Sequence, residues 1–174
     1  MLNYKSFLWI LFSCVSLEAL AQTPEEKIKE MGFELFEPSK PIANYVKAVQ
    51  TGNLVFLAGH GPSKADGSYI SGRLGDDLTV EQGYEAAQFA ALALLSSLKA
   101  EIGDLSKVKR IVKVKGMVNS TSDFYDQPKV INGCSDLLVK IFGEKGKHAR
   151  AAVGMVSLPS NIAVEIEMIV ELKD

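Results

Sequence analysis

The residues with the most evident chemistry lie near the C-terminus. Glu165 and Glu167 stand two residues apart in the run Val164-Glu165-Ile166-Glu167-Met168. In an extended segment that spacing puts both carboxylates on one face. Two adjacent carboxylates on a central strand are costly unless a cation or water meets them. Arg150, in the neighbouring expected strand His148–Val156, is a candidate cation. An arginine held on a strand can bind a substrate carboxylate through two parallel N–H donors. A carboxylate nearby can orient or activate a water. The same residues could instead form a structural ion pair at a subunit interface, and spacing taken alone favours that plainer reading.

Other reactive side chains carry less. His60 sits in Gly59-His60-Gly61-Pro62, where it could be a catalytic base or an ordinary loop histidine. That glycine-rich stretch lacks both the Gly-Lys-Ser/Thr of a phosphate loop and the helix start of a dinucleotide site. No Gly-x-Ser-x-Gly occurs. Two His and two Cys, without ligand spacing, are too few for a closed structural zinc site unless carboxylates help. No metal or cofactor is therefore expected. Cys134 lies on an apolar helical stripe and reads as packing rather than as a reactive thiol.

The elements that must position these residues can be read from periodicity. Tyr45–Val49 and Leu54–Ala58 read as two strands joined by the turn Gln50-Thr51-Gly52-Asn53. The continuous apolar run Leu54–Leu57 predicts burial on both faces. A short strand at Ser68–Ile70 is possible within the following loop. Thr79–Ile102 is the clearest helix, with a Thr79/Gln82 capping box and Gly103 as its stop. Val108–Val118 alternates: Val108, Val112, Val114 and Val118 on one side, Lys109, Lys113 and Lys115 on the other. Thr121 or Ser122 should cap a second helix with the stripe Val130, Cys134, Leu137, Leu138 and Ile141, ending near Gly143. Strands at His148–Val156 and Ile162–Leu172 close the chain. The order β-β-(β)-α-β-α-β-β predicts an α+β plan, one sheet with two helices on one face.

The N-terminal segment is expected to lie outside this fold. Residues 1–21 carry Lys5, an apolar run from Ser6 to Leu17, and Ala19-Leu20-Ala21 before Gln22. This is the pattern of a cleaved secretory signal peptide, too short for a membrane span. The chain is thus expected to be exported, periplasmic or secreted, with cleavage near Ala21. A rival reading makes Cys14 a lipidation site, against which the bulky Phe12 argues. Lys5 and Glu18 leave together, so cleavage does not change the net charge, and Cys134 is then the remaining cysteine. Residues 22–41 read as an N-terminal arm in which Pro24–Met31 could form a short helix behind Thr23 as N-cap, and residues 42–174 read as one domain. The whole chain of 174 residues is 47% hydrophobic and 23% charged, with net charge -2. That is ordinary globular composition, with no basic field to recruit nucleic acid.

Several of these residues together resemble the RidA/YjgF family. They are Ala149-Arg150-Ala151-Ala152-Val153, Leu158-Pro159 and Val164-Glu165-Ile166-Glu167, with Tyr45-Val46, Ala58-Gly59-His60-Gly61-Pro62, Asp123-Phe124 and Asn132. The resemblance covers Ile42 to Leu172. It implies a chorismate-mutase-like α+β fold and a homotrimer, with helices outward and three pockets between subunits. It also implies hydrolysis of 2-iminopropanoate, 2-iminobutanoate and related enamines to 2-oxo acids and ammonia, without metal or cofactor. Carried over, Arg150 grips the substrate carboxylate and Glu165 holds the attacking water. Gly59 and Ala152 offer backbone N–H groups, and Tyr45, Asn132 and His60 complete the binding residues. The chain departs from the family pattern at Ala58, where a serine is common, and at Ala151 and Ala152, where small polar and cysteine residues are usual. Its loop Ser63–Asp77 is also longer. A non-catalytic small-carboxylate-binding or chaperone-like module of the same fold is the alternative. Endoribonuclease activity, which gave the family an older name, fits poorly with the acidic balance.

Overall fold

A computed structural model describes residues 22–38 and 43–174. The expected signal peptide and Cys14 fall outside the described residues.

The chain forms α1 (Pro24–Glu30), β1 (Ala48–Thr51), β2 (Leu54–His60), α2 (Val80–Ile102), β3 (Val108–Asn119), α3 (Gln127–Phe142), β4 (Ala149–Met155) and β5 (Val164–Leu172). The strands make one mixed sheet in the order β1-β2-β5-β3-β4. Only β3 and β4 run parallel, because α3 lies between them in sequence and returns the chain to the same end. The central strand β5 alternates without exception: Val164, Ile166, Met168, Val170 and Leu172 are buried under the helices, and the residues between them are half-buried. The fold is α+β.

α2 starts as its sequence dictates. Thr79 accepts from the Gln82 N–H and Gln82 answers with its side chain on the Thr79 N–H, so two orphan donors are satisfied at once. Its alanines let α2 lie close on the sheet and on α3, where Val130, Cys134, Leu137, Leu138 and Ile141 are buried as the stripe predicts. The start of α3 differs from expectation. Asp126 is the N-cap, with no side-chain bond, and the proline at the first turn lacks the N–H a cap would serve. α1 has the Thr23/Glu26 capping box and docks beneath, with Ile28 buried and Lys27 Nζ donating to the Ile141 carbonyl at 3.1 Å.

The sheet corrects five further expectations. The first hairpin turns on Gly52-Asn53 alone, since Thr51 already pairs Leu54, and Gly52 adopts φ 58°. Tyr45 consequently precedes β1 rather than lying in it. β2 is not buried on both faces. Val55 and Leu57 face the helices, while Phe56 remains 41% exposed on the helix-free face. Within Ser68–Ile70, Tyr69 makes a single isolated bridge with Ser63 and no strand forms. In β3, two register shifts put Ile111 into the core in place of Val112.

Candidate active site

Arg150 stands on the edge strand β4 opposite Val114. Val114 is buried beneath the helices, so Arg150 leans to the same side, towards α3. There its Nη1 donates to Asn132 Oδ1 at 2.8 Å and to Ser135 Oγ at 3.0 Å. Asn132 and Ser135 are three residues apart and so share a face of α3. Ser135 also meets His148 Nε2 at 3.1 Å, and His148 Nδ1 meets the Gly146 carbonyl at 2.6 Å. A carbonyl only accepts, so Nδ1 carries the hydrogen and neutral Nε2 accepts from Ser135. Burial lowers the His148 pKa, the Gly146 bond opposes this, and the Arg150 charge lowers it further. The result is an arginine on the surface, steered through one nitrogen by a three-residue polar frame.

Glu165 occupies the other side of the sheet. It sits on β5 opposite Met117, half-buried on the helix-free face. Burial pushes its carboxyl above the usual range, the Glu167 charge adds to this, and Lys115 opposes it. Glu167 itself pairs with Lys115 at 3.5 Å. Gly59 lies at the register shift of β2, directly against Glu165. A Cβ at residue 59 would come within 2.8 Å of Glu165 Cδ and closer still to Oε1. Absence of a side chain therefore lets the carboxylate rest on the β2 backbone.

The expected meeting of Arg150 with Glu165 and Glu167 does not occur within one protomer. The segments carrying them are successive in sequence, but the long β3 pairs with both and separates them. Arg150 also faces the helices, whereas the two glutamates face away. Lys115 supplies the cation at Glu167.

Tyr45, Gly59 and His60 come together around a cavity of about 280 Å³ at the end of β2, bounded by α2 and the arm residues Phe36 and Pro38. His60 is buried, with Nδ1 2.7 Å from the Ala58 carbonyl and Nε2 2.7 Å from Ser97 Oγ. Ala152 is half-buried on β4, two residues beyond Arg150. The candidates thus form two groups, one around Arg150 and Asn132, the other around Gly59 and Glu165. Sequence reasoning missed Ser135, His148 and Ser97. The legible signal was positional: Ser135 is one turn beyond Asn132, and His148 is two residues before Arg150. Cys134 is fully buried, and burial pushes its thiol up to about 12. Among the described residues no three His, Cys, Asp or Glu side chains gather to hold a metal ion. No described helix is long and apolar enough to cross a membrane.

The family model described as "YjgF/chorismate_mutase-like, putative endoribonuclease" matches residues 25–172. The chain belongs to this family. The YjgF match begins inside α1, earlier than the motifs alone indicated. Protein TCP17 of Trypanosoma cruzi is 41% identical over 148 residues, 84% of this chain and 92% of the relative. A Dermatophagoides farinae protein named 2-iminobutanoate/2-iminopropanoate deaminase is 29% identical over 136 residues, 77% of this chain and 90% of the relative. The crystal structure of Atu1372 from Agrobacterium tumefaciens, described as of unknown function, superposes with a TM-score of 0.81 at 43% identity, covering 87% of this chain and 94% of that one.

Proposed function

We propose that this YjgF-family protein hydrolyses small 2-imino and enamine acids to 2-oxo acids and ammonia, in pockets between the subunits of a homotrimer. The observation that carries this reading is the exposed Arg150 guanidinium held by Asn132 and Ser135. Both bonds use Nη1, which orients the planar fork for a carboxylate without side-chain reordering on binding. The remaining chemistry is light. Water adds to the iminium carbon as Glu165 takes its proton. Glu165 returns that proton to the nitrogen, and the tetrahedral carbon expels ammonia as the hydroxyl gives up its proton to Glu165 and the carbonyl forms. A carboxylate whose pKa is raised by burial suits that proton transfer better than a fully solvated one. Holding acid, water and base together supplies most of the acceleration.

The two groups of candidates lie on opposite faces of one sheet, so a common pocket needs a second copy. The helix-free face supports this. Val49 and Phe56 are cross-strand neighbours there, and Val153 and Met155 flank them across the sheet, all 37–52% exposed. Exposed apolar side chains at both edges of this face, with a half-buried carboxylate between them, are what a subunit interface would cover. The deaminase name of the mite relative agrees with the proposal at low identity.

The test is release of ammonia or 2-oxo acid from freshly generated 2-iminopropanoate and 2-iminobutanoate, comparing wild type with Arg150→Ala. Acceleration by wild type that disappears in the variant supports the reading. No acceleration by wild type removes it. A second reading rests on Ala58, Ala151 and Ala152, which bring no hydroxyl or thiol to the site. It makes the protein a small-carboxylate-binding module, and retention of a 2-oxo acid by wild type without turnover would select it.

A further inference from the structure

The cavity beside His60 takes in Tyr45, Gly59 and His60 but not Arg150, Asn132 or Glu165 of the proposed hydrolysis. Its floor is the His60–Ser97 pair, its walls include Lys47 and Lys64, and Tyr45 and Tyr69 stand at its rim, each about half exposed. The helix wall is made by Ala93 and Ser97, four residues apart on α2, both too small to fill the space. The opposite wall is the arm, pinned by the Phe36 N–H on Ser96 Oγ at 3.2 Å and by Phe33 edge-on to Phe89. Lys64 lies 5.7 Å over the same Phe89 ring. Among the described lining residues the charged side chains besides His60 are Lys47, Lys64 and Glu37, two cations to one carboxylate.

We propose that this cavity is a second binding site, for a small organic anion with an aromatic body, and that His60 controls Ser97 as its hydroxyl donor. The argument is one of hydrogens. The Ala58 carbonyl can only accept, so His60 Nδ1 must carry a hydrogen. Neutral Nε2 is then an acceptor, and it takes the Ser97 hydroxyl hydrogen. Protonation of Nε2 reverses that bond. The imidazolium donates to Ser97 Oγ, and the serine hydrogen is released to turn into the cavity. An anion there gains a hydroxyl donor and a third positive charge together. Burial keeps the ring neutral in the empty cavity, the Lys47 charge acts the same way, and the Ala58 bond opposes both. Among the described residues, the titratable side chains that line the cavity with His60 are Lys47, Lys64, Glu37, Tyr45 and Tyr69, and the Lys47 charge acts on the ring. Burial also lowers the Lys47 pKa, and His60 is the group whose bond to Ser97 reverses on protonation. Phe36, Tyr45 and Tyr69 supply the surface for an aromatic ring.

The experiment is calorimetric titration with phenylacetate at pH 8, 7 and 6, in buffers of different ionisation heat. Phenylacetamide serves as the uncharged control. The expected result is binding that tightens on acidification, by up to about tenfold per pH unit for one linked proton, with proton uptake. Arg150→Ala should keep the pH-linked binding event, which separates this site from the one proposed for turnover. Ser97→Ala and Ala93→Leu should each weaken binding at least tenfold, the first by removing the donor and the second by filling the space. If Ser97→Ala fails to fold in a thermal melt, Ala93→Leu decides. Absence of binding by wild type at pH 6, or affinity that does not change with pH, would overturn the proposal. So would binding lost in Arg150→Ala but kept in Ala93→Leu, since that places the anion at Arg150.

Discussion

Substituting Gly59 by alanine should separate fold from activity. The new Cβ would lie 2.8 Å from Glu165 Cδ, whereas carbon atoms in contact rest ~3.5–4.0 Å apart. Glu165 must therefore withdraw by about 1 Å from its place against β2, a displacement that can cost ~100-fold in rate when the group acts on the reacting atoms. The obstructing atoms are the far end of a flexible, half-buried side chain, and the backbone at Gly59 is not left-handed. Stability should accordingly change by no more than about 1 kcal/mol, well inside the range of ordinary surface and boundary substitutions. The assay pairs a thermal melt with 2-oxo acid release from 2-iminobutanoate. The expected outcome is a melting curve close to wild type with kcat/KM reduced roughly 30- to 100-fold. Glu165→Gln should lose activity to at least the same degree, because an amide cannot accept the proton. A folded Gly59→Ala protein with undiminished turnover would refute the reasoning, since Glu165 could then be displaced without consequence.

Other outcomes follow from the same geometry. Burial holds the Glu165 carboxyl above its usual range, so its ionised form opposes folding above that pKa and the opposition fades as pH falls through it. Glu165→Gln should thus melt above wild type at pH 7, with the gap closing on acidification; a gap that is constant or reversed would contradict the assignment. Light scattering of the purified protein should give about three times the protomer mass, and a clean monomer would remove the pocket proposed between subunits. Cys134, with its thiol pushed up to about 12, should resist alkylation in the native protein and react on unfolding, as read by peptide mass mapping.

Local chemistry was enough to determine much of this protein. The Thr79/Gln82 box and Gly103 delimit α2 because caps are satisfied within a few residues of chain. The helical stripe through Cys134 and the unbroken alternation of β5 identify buried faces because periodicity follows from backbone geometry alone. The motifs around Arg150 and Glu165 pointed to the YjgF family before any contact was known. Strand neighbours, by contrast, are long-range choices. That β3 lies between β4 and β5, so that Arg150 and Glu165 face opposite sides, depends on which edges find each other once two helices cover one face. The exposed side of β2 is likewise a consequence of layers, not of its apolar composition. The Ser135 and His148 frame around Arg150, and the Ser97 partner of His60, join residues up to 37 positions apart. Such pairs carry no local periodicity, because hydrogen-bond partners are chosen by the direction of side chains in the folded core. Tertiary structure alone decided them.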